Sequence, residues 1–218
     1  MDEKQKLQQI AAYSHKKMTK DRTGHGYDHI RRVAGMAEKI CRQEGADRFI
    51  TLTAAYLHDV IDDKLVADSA KALEELMDFL KGLGVTAGQC QEVKQIITNM
   101  SFASTLDGKA QPLSLEGQIV QDADWLDAIG AIGIVRAVYF GGVHGERIYN
   151  PNIAPRKQMT KEEYRNLDNE TIINHFYEKL LKIKDMLNTQ TARQIAASRQ
   201  QFMLDFLAEF KAEWDAER

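Results

Sequence analysis

Residues 24–45 read GHGYDHIRRVAGMAEKICRQEG, and their spacing decides the fold. Ile30, Val33, Ala34, Ala37, Ile40 and Cys41 recur at the interval that lines side chains along one stripe of an α-helix. The spacing predicts a helix of about four turns that begins near Asp28 and stops at Gly45. The same period governs most of the chain. Its three prolines, Pro112, Pro151 and Pro155, leave long uninterrupted stretches, and no alternating apolar pattern competes with the helical one. The fold class is therefore all-α.

Working outward, a second and mostly apolar helix runs from about Phe49 to the region of His58, which suits a central position. Residues 68–81 form a third, ended by Gly82 and Gly84. Thr86 and Gln89 offer a capping box for a fourth that reaches about Ser101. Residues 114–139 are helical in spacing, with Gly130 and Gly133 marking either a bend or a close helix contact. Residues 141–159 are long for a plain connector, and read equally as a lid over a site or an irregular excursion. Thr160 and Glu163 then offer a capping box for a helix through His175 to Leu187. The last helix sets Ile195, Phe202, Phe206, Phe210 and Trp214 along one stripe that pins the C-terminus. With 218 residues and 44% hydrophobic content, one domain is expected: a core over about 20–140, the 141–159 segment, and C-terminal helices over about 160–216.

Twenty-nine basic residues against 32 acidic ones give a formal charge of −3. That balance supplies no bulk attraction to a polyanion, so a nucleic-acid polymer is not an expected partner. Cys41 and Cys90 lack metal-type spacing and read as buried, reduced thiols. No stretch approaches the roughly 18 apolar residues of a membrane span, and a soluble, cytoplasmic protein is expected.

The residues that carry chemistry are His29, the neighbours His58 and Asp59, and Asp124. Adjacent helical residues point about 100° apart, so His58 and Asp59 reach one ion only when it sits over the seam between them. Asp124 lies in an otherwise apolar helix, where an unpartnered carboxylate is costly and a metal ion removes the cost. Asp127, on the same helix, is its rival. Taken singly, each of these residues is better explained as a cap or a hydrogen-bonded surface group.

Their order changes that balance. The text GHGYDHIRRV (24–33), AAYLHDVIDDK (54–64) and QDADWLDAIGAIGIVRA (121–137) resembles the HD-domain metal-dependent phosphohydrolases over essentially the whole chain. Within them it resembles a bacterial subgroup similar to nucleotide pyrophosphohydrolases. The resemblance implies a helical HD-domain bundle in which His29, His58, Asp59 and Asp124 hold one divalent ion. Two nitrogen and two oxygen ligands suit manganese, which is favoured here, or iron, cobalt, nickel or zinc, better than magnesium.

Asp62 follows His58, and Asp63 follows Asp59, by one helical turn if the helix continues. Alarmone pyrophosphohydrolases of this family carry a Glu-Asp pair at that place, where this chain has Asp-Asp. Asp62 is accordingly read as general base or water-orienting group and Asp63 as its helper, against a helix-end role for either. His25, in a glycine-flanked turn, is read as a phosphate donor or acid. A polyphosphate also needs fixed cations, and Lys64, Arg136, Lys179 and Lys182 are the candidates, with Tyr139 as a base or sugar contact. The function implied is hydrolysis of a nucleoside triphosphate to monophosphate and pyrophosphate. A nucleoside monophosphate phosphatase, another phosphoesterase, and a nucleotide-sensing module without turnover are the alternatives. A homodimer stays open, because a helical stripe serves an interface as well as a core.

Overall fold

Helix α3 (Arg48–Leu57) shows why the N-terminal half folds as it does. Its text RFITLTAAYL carries one charge, at its first residue, and Phe49, Thr51, Leu52, Thr53, Ala54, Ala55 and Leu57 are all buried. A helix apolar on every side must be surrounded. In the computed structural model it packs against α1 (Glu3–Met18), α2 (Tyr27–Glu44) and α5 (Ala87–Asn99). The structure describes residues 1–19, 26–62, 66, 68–102, 111–157, 160 and 171–218. The chain falls into two compact units, Met1–Ala123 and Asp124–Arg218, whose boundary lies within α6 (Leu115–Asp127).

In the first unit, local chemistry sets each helix end. Asp47 accepts the Ile50 N–H at 2.9 Å and starts α3. The expected stop of α2 is Gly45, with φ +75°, and its N–H donates to the Cys41 carbonyl. The stripe read from the sequence, Ile30, Val33, Ala34, Ala37, Ile40 and Cys41, is buried, and His29 is buried with it. Helix α4 (Ser69–Gly82) is capped by Asp68, and α5 carries the expected Thr86–Gln89 capping box. Gln121 of α6 donates to the Met100 carbonyl at 2.9 Å, and Glu116 accepts the Asp47 N–H, tying α6 into this unit. Cys41 and Cys90 are both buried and not disulfide-bonded.

In the second unit, α6 ends at Asp127 and α7 (Gly130–His144) begins three residues later, so the glycines do mark a break. Gly130 has φ +78°. A Cβ on Gly133 would lie 2.2 Å from the Ala128 carbonyl oxygen, so both positions require glycine. Helix α7 packs against α8 (Ile172–Glu178) and α10 (Gln190–Trp214).

Three expectations for this unit are corrected. The helix expected through His175 to Leu187 breaks at Lys179 (φ −134°, ψ −59°) and resumes as a 3-10 turn, Leu180–Lys182, followed by the short α9 (Ile183–Met186). The buried stripe of α10 is Thr191, Ala192, Ala196, Met203 and Leu207, whereas Phe202 and Trp214 are exposed. Periodicity could not distinguish the two stripes, because both are apolar. The aromatic stripe still engages the unit, since Tyr149 meets Phe210 and Trp214 edge to face and Phe176 contacts Phe206.

Gly141–His144, expected in the 141–159 excursion, belong to α7. The described part beyond it is tied down. Ile172 and Ile173 donate to the carbonyls of Arg147 and Ile148 at 2.9 and 3.0 Å. Asn174 donates to the Ile153 carbonyl, and Arg156 grips Glu178, which is 1% exposed, through its backbone N–H (2.8 Å), Nε (2.9 Å) and Nη2 (2.5 Å). Any lid motion of this segment has to break those bonds. The capping box proposed at Thr160 and Glu163 lies partly outside the described residues. Among the described residues no single helix is long and apolar enough to cross a membrane.

Candidate metal centre

His29 enters the site from the first turn of α2 and is fully buried, whereas its neighbour Asp28 faces outward. The Arg32 guanidinium, 2.8 Å from Asp28, holds that carboxyl below its usual range and engages it away from the site. His58 is the C-cap of α3, and Asp59 follows in the turn that closes the helix. The packing of α2 on α3 is thus what brings the first histidine to the pair.

The three side chains converge. His29 Nε2 lies 3.3 Å from His58 Nε2 and 3.5 Å from Asp59 Oδ2, and His58 Nε2 lies 3.4 Å from Asp59 Oδ1. His58 Nδ1 is 2.9 Å from the Ala55 carbonyl. A carbonyl only accepts, so Nδ1 carries the proton, and in neutral His58 the Nε2 atom presents a lone pair to the cluster. A backbone partner of this kind fixes the orientation of a metal-ligating imidazole.

These residues fit a metal ion. Donor atoms that share one ion at bonds of about 2.0–2.2 Å stand about 3.0–3.6 Å apart, which is the spacing found. A proton on His29 Nε2 would satisfy one neighbour, whereas a cation satisfies all three groups together. Imidazole and carboxylate donors are the chemistry of a borderline divalent ion. Among the described residues, His29, His58 and Asp59 are the group of metal-ligating side chains that meet within 4.8 Å of one another.

The remaining sequence-derived candidates divide clearly. Asp124 is half-buried on α6. Its rival Asp127 is committed elsewhere: Arg136 Nη1 donates to its Oδ2 at 3.0 Å and to its carbonyl at 3.3 Å. That pair also gives Arg136 a structural task. Arg199, whose guanidinium is shifted down by burial and partly restored by Asp127, donates to the Leu126 carbonyl. Two arginines therefore cap the end of the helix that carries Asp124.

Helix α3 does not continue past Leu57, so Asp62 does not lie one helical turn beyond His58. It lies in a turn whose N–H donates to the Asp59 carbonyl at 3.1 Å. Tyr139 is 47% exposed on α7. Lys182 is exposed and donates to the Lys157 carbonyl at 3.2 Å, and Lys179 sits at the break after α8. His25, Asp63 and Lys64 lie outside the described residues.

Reading residue by residue passed over Asp122, which is fully buried on α6, and the Arg156–Glu178 pair. For Asp122 a signal existed: it stands three residues after the buried Ile119 and so shares its stripe. For Arg156 and Glu178 none did, because their pairing joins distant segments.

Comparison with known proteins agrees with this geometry. The HD domain profile matches residues 26–129, a span that opens just before His29 and closes just after Asp124 and Asp127. YpgQ of Bacillus subtilis, itself uncharacterized, is 39% identical over 211 residues, covering 97% of this chain and 95% of YpgQ. Its crystal structure in complex with ADP superimposes with a TM-score of 0.79 at 37% identity, over 98% of this chain and 97% of that one. A crystal structure from Lactobacillus plantarum gives 0.88 at 49% identity, over 99% and 100% of the two chains. An HD-superfamily hydrolase from Bacillus thuringiensis gives 0.78 at 38%, again over 99% and 100%. An imidazole pair and a carboxylate converging at the α2–α3 contact, inside a matching HD profile and with such neighbours along the full chain, make this chain a member of the HD-domain superfamily of hydrolases.

Proposed function

We propose that this hydrolase acts on nucleotides with one divalent ion, manganese being favoured, and that it cleaves nucleoside triphosphates to monophosphate and pyrophosphate. The observation that carries the reading is the convergence of His29, His58 and Asp59 with the His58 proton placed on Nδ1. The ADP bound to the similar YpgQ supports a nucleotide as substrate class. Asp124 is proposed as the fourth ligand, the place that the resemblance to the HD-domain phosphohydrolases gives it. When bound, the ion supplies a Lewis acid that polarises a phosphoryl oxygen and lowers the pKa of water.

The chain's own residues do the rest. Asp62, in the turn next to Asp59, is proposed to orient the attacking water and take its proton, with Asp63 beside it in sequence. His25 is proposed to donate to a phosphate. Lys64, Lys179 and Lys182 are proposed to neutralise the polyphosphate, whereas Tyr139, exposed on the outer face of α7, is not assigned to the substrate. Arg136 is better used in holding Asp127 than in binding phosphate.

The test is product analysis over a panel of ribo- and deoxyribonucleotides with manganese. Monophosphate plus pyrophosphate is expected. Nucleoside plus phosphate would replace the reading with a monophosphatase, and stoichiometric binding without turnover would replace it with a sensor.

A further inference from the structure

Among the described residues, helix α7 has a face that is exposed and apolar. Its buried side, Gly133, Ile134 and Gly141, packs into the second unit. Turning the helix by its 3.6-residue period brings Ala131, Ile132, Val135, Val138, Tyr139, Gly142 and Val143 together on the opposite side, and every one of them is exposed. Val135 is 66% exposed, Val143 52%, and Ile132, Val138 and Tyr139 between 43% and 47%. No charged residue falls on this face. The charged residue of the helix, Arg136, is turned to Asp127, and His144 belongs to the last turn, where it stacks on Phe140. A helix apolar on all sides is expected inside a protein, not at its surface. By contrast, the exposed side of the neighbouring α10 carries Arg193, Gln194, Gln201, Asp205 and Glu209.

We propose that this face is the contact between two copies of the chain, α7 packing on α7 about a two-fold axis. Area and chemistry select this occupant. The exposed parts of these side chains amount to about 500 Å², toward the upper end of what a monomer leaves bare and about three fifths of the roughly 800 Å² per partner in a standard interface. A face without charge offers nothing for an acidic, basic or nucleic-acid partner to read, but it is complementary to itself. A two-fold contact needs only such self-complementarity. Gly142, with nothing within 4 Å of the position its Cβ would take, leaves a notch for a valine of the second copy.

The experiment measures the mass of the full-length chain in solution by light scattering and sedimentation velocity over an about hundredfold range of concentration. The wild type should run at twice the 24.7 kDa chain mass. Val135→Lys and Val143→Lys, at positions where a lysine meets solvent in the single copy, should run at the chain mass with unchanged circular dichroism. Val135→Leu should retain the double mass. A wild type at the chain mass throughout would overturn the proposal, as would a double mass that Val135→Lys leaves intact. Sedimentation of a single-copy wild type with phosphatidylcholine–phosphatidylglycerol vesicles would overturn it in favour of a membrane surface.

Discussion

Replacing Asp59 by alanine tests the metal centre without relying on catalysis. Asp59 supplies the anionic donor of the trio, its oxygens standing 3.5 and 3.4 Å from the two imidazoles, with its side chain 15% exposed. If the wild type binds manganese as proposed, the ion at about 100 times its dissociation constant should stabilise the folded state by about 2.7 kcal/mol. For a chain of this length each kcal/mol moves the melting temperature by about 2–4 °C, so a rise of about 5–10 °C is expected. Losing the carboxylate leaves only the two nitrogens of the trio, 3.3 Å apart, and should weaken binding by about a hundredfold or more. At the same manganese concentration the gain then falls to about 0.4 kcal/mol, a rise of only about 1–2 °C. Asp47→Ala is the matched control. It removes the N-cap of the same helix, where Asp47 accepts the Ile50 N–H at 2.9 Å, and should cost about 1 kcal/mol with or without metal. Its manganese-induced rise should be undiminished. Thermal melts followed by circular dichroism, with bound manganese measured by mass spectrometry, read both variants. An Asp59→Ala protein that keeps the full rise and its manganese would refute the assignment.

Two further perturbations probe what holds the fold around the site. Arg136→Ala removes the guanidinium from the Asp127 carboxylate, whose side chain is 6% exposed, and should cost about 1.5–3 kcal/mol in urea unfolding; Arg136→Lys, which keeps the charge, should recover part of it. Glu38 is held below its ordinary value of 4.5 by its hydrogen bond to Arg48 and then by Arg42. A depressed carboxylate contributes stability that is complete above the ordinary value and lost as pH falls through the folded one. Glu38→Gln should therefore be less stable than wild type at neutral pH and converge with it in acid, as followed by urea midpoints across that range.

Much of the architecture was legible because it is local. The stripe of α2, its stop at Gly45, the capping box at Thr86 and the apolar text of α3 are each fixed by residues within a few positions of one another. The errors came where two local readings were equivalent. On α10 both the aromatic stripe and the Ala192–Met203–Leu207 stripe have helical period, and only packing selects the second for burial. At Asp62 the one-turn spacing holds only if α3 continues, and the helix ends at Leu57, where the chain turns.

For the candidate site, the sequence by itself determined the kinds of donor, their order and the helices that carry them. It also carried the resemblance that raised His29, His58, Asp59 and Asp124 together. It did not determine that His29 and His58 meet, since no periodicity links residues on different helices. The tertiary structure decided that by packing α2 on α3, which closes the two Nε2 atoms to 3.3 Å. It also decided which acids are already engaged: Asp28 by Arg32, Asp127 by Arg136, and Glu178 by Arg156. A carboxylate's role depends on its partner, and partners distant along the chain are set only when the chain folds.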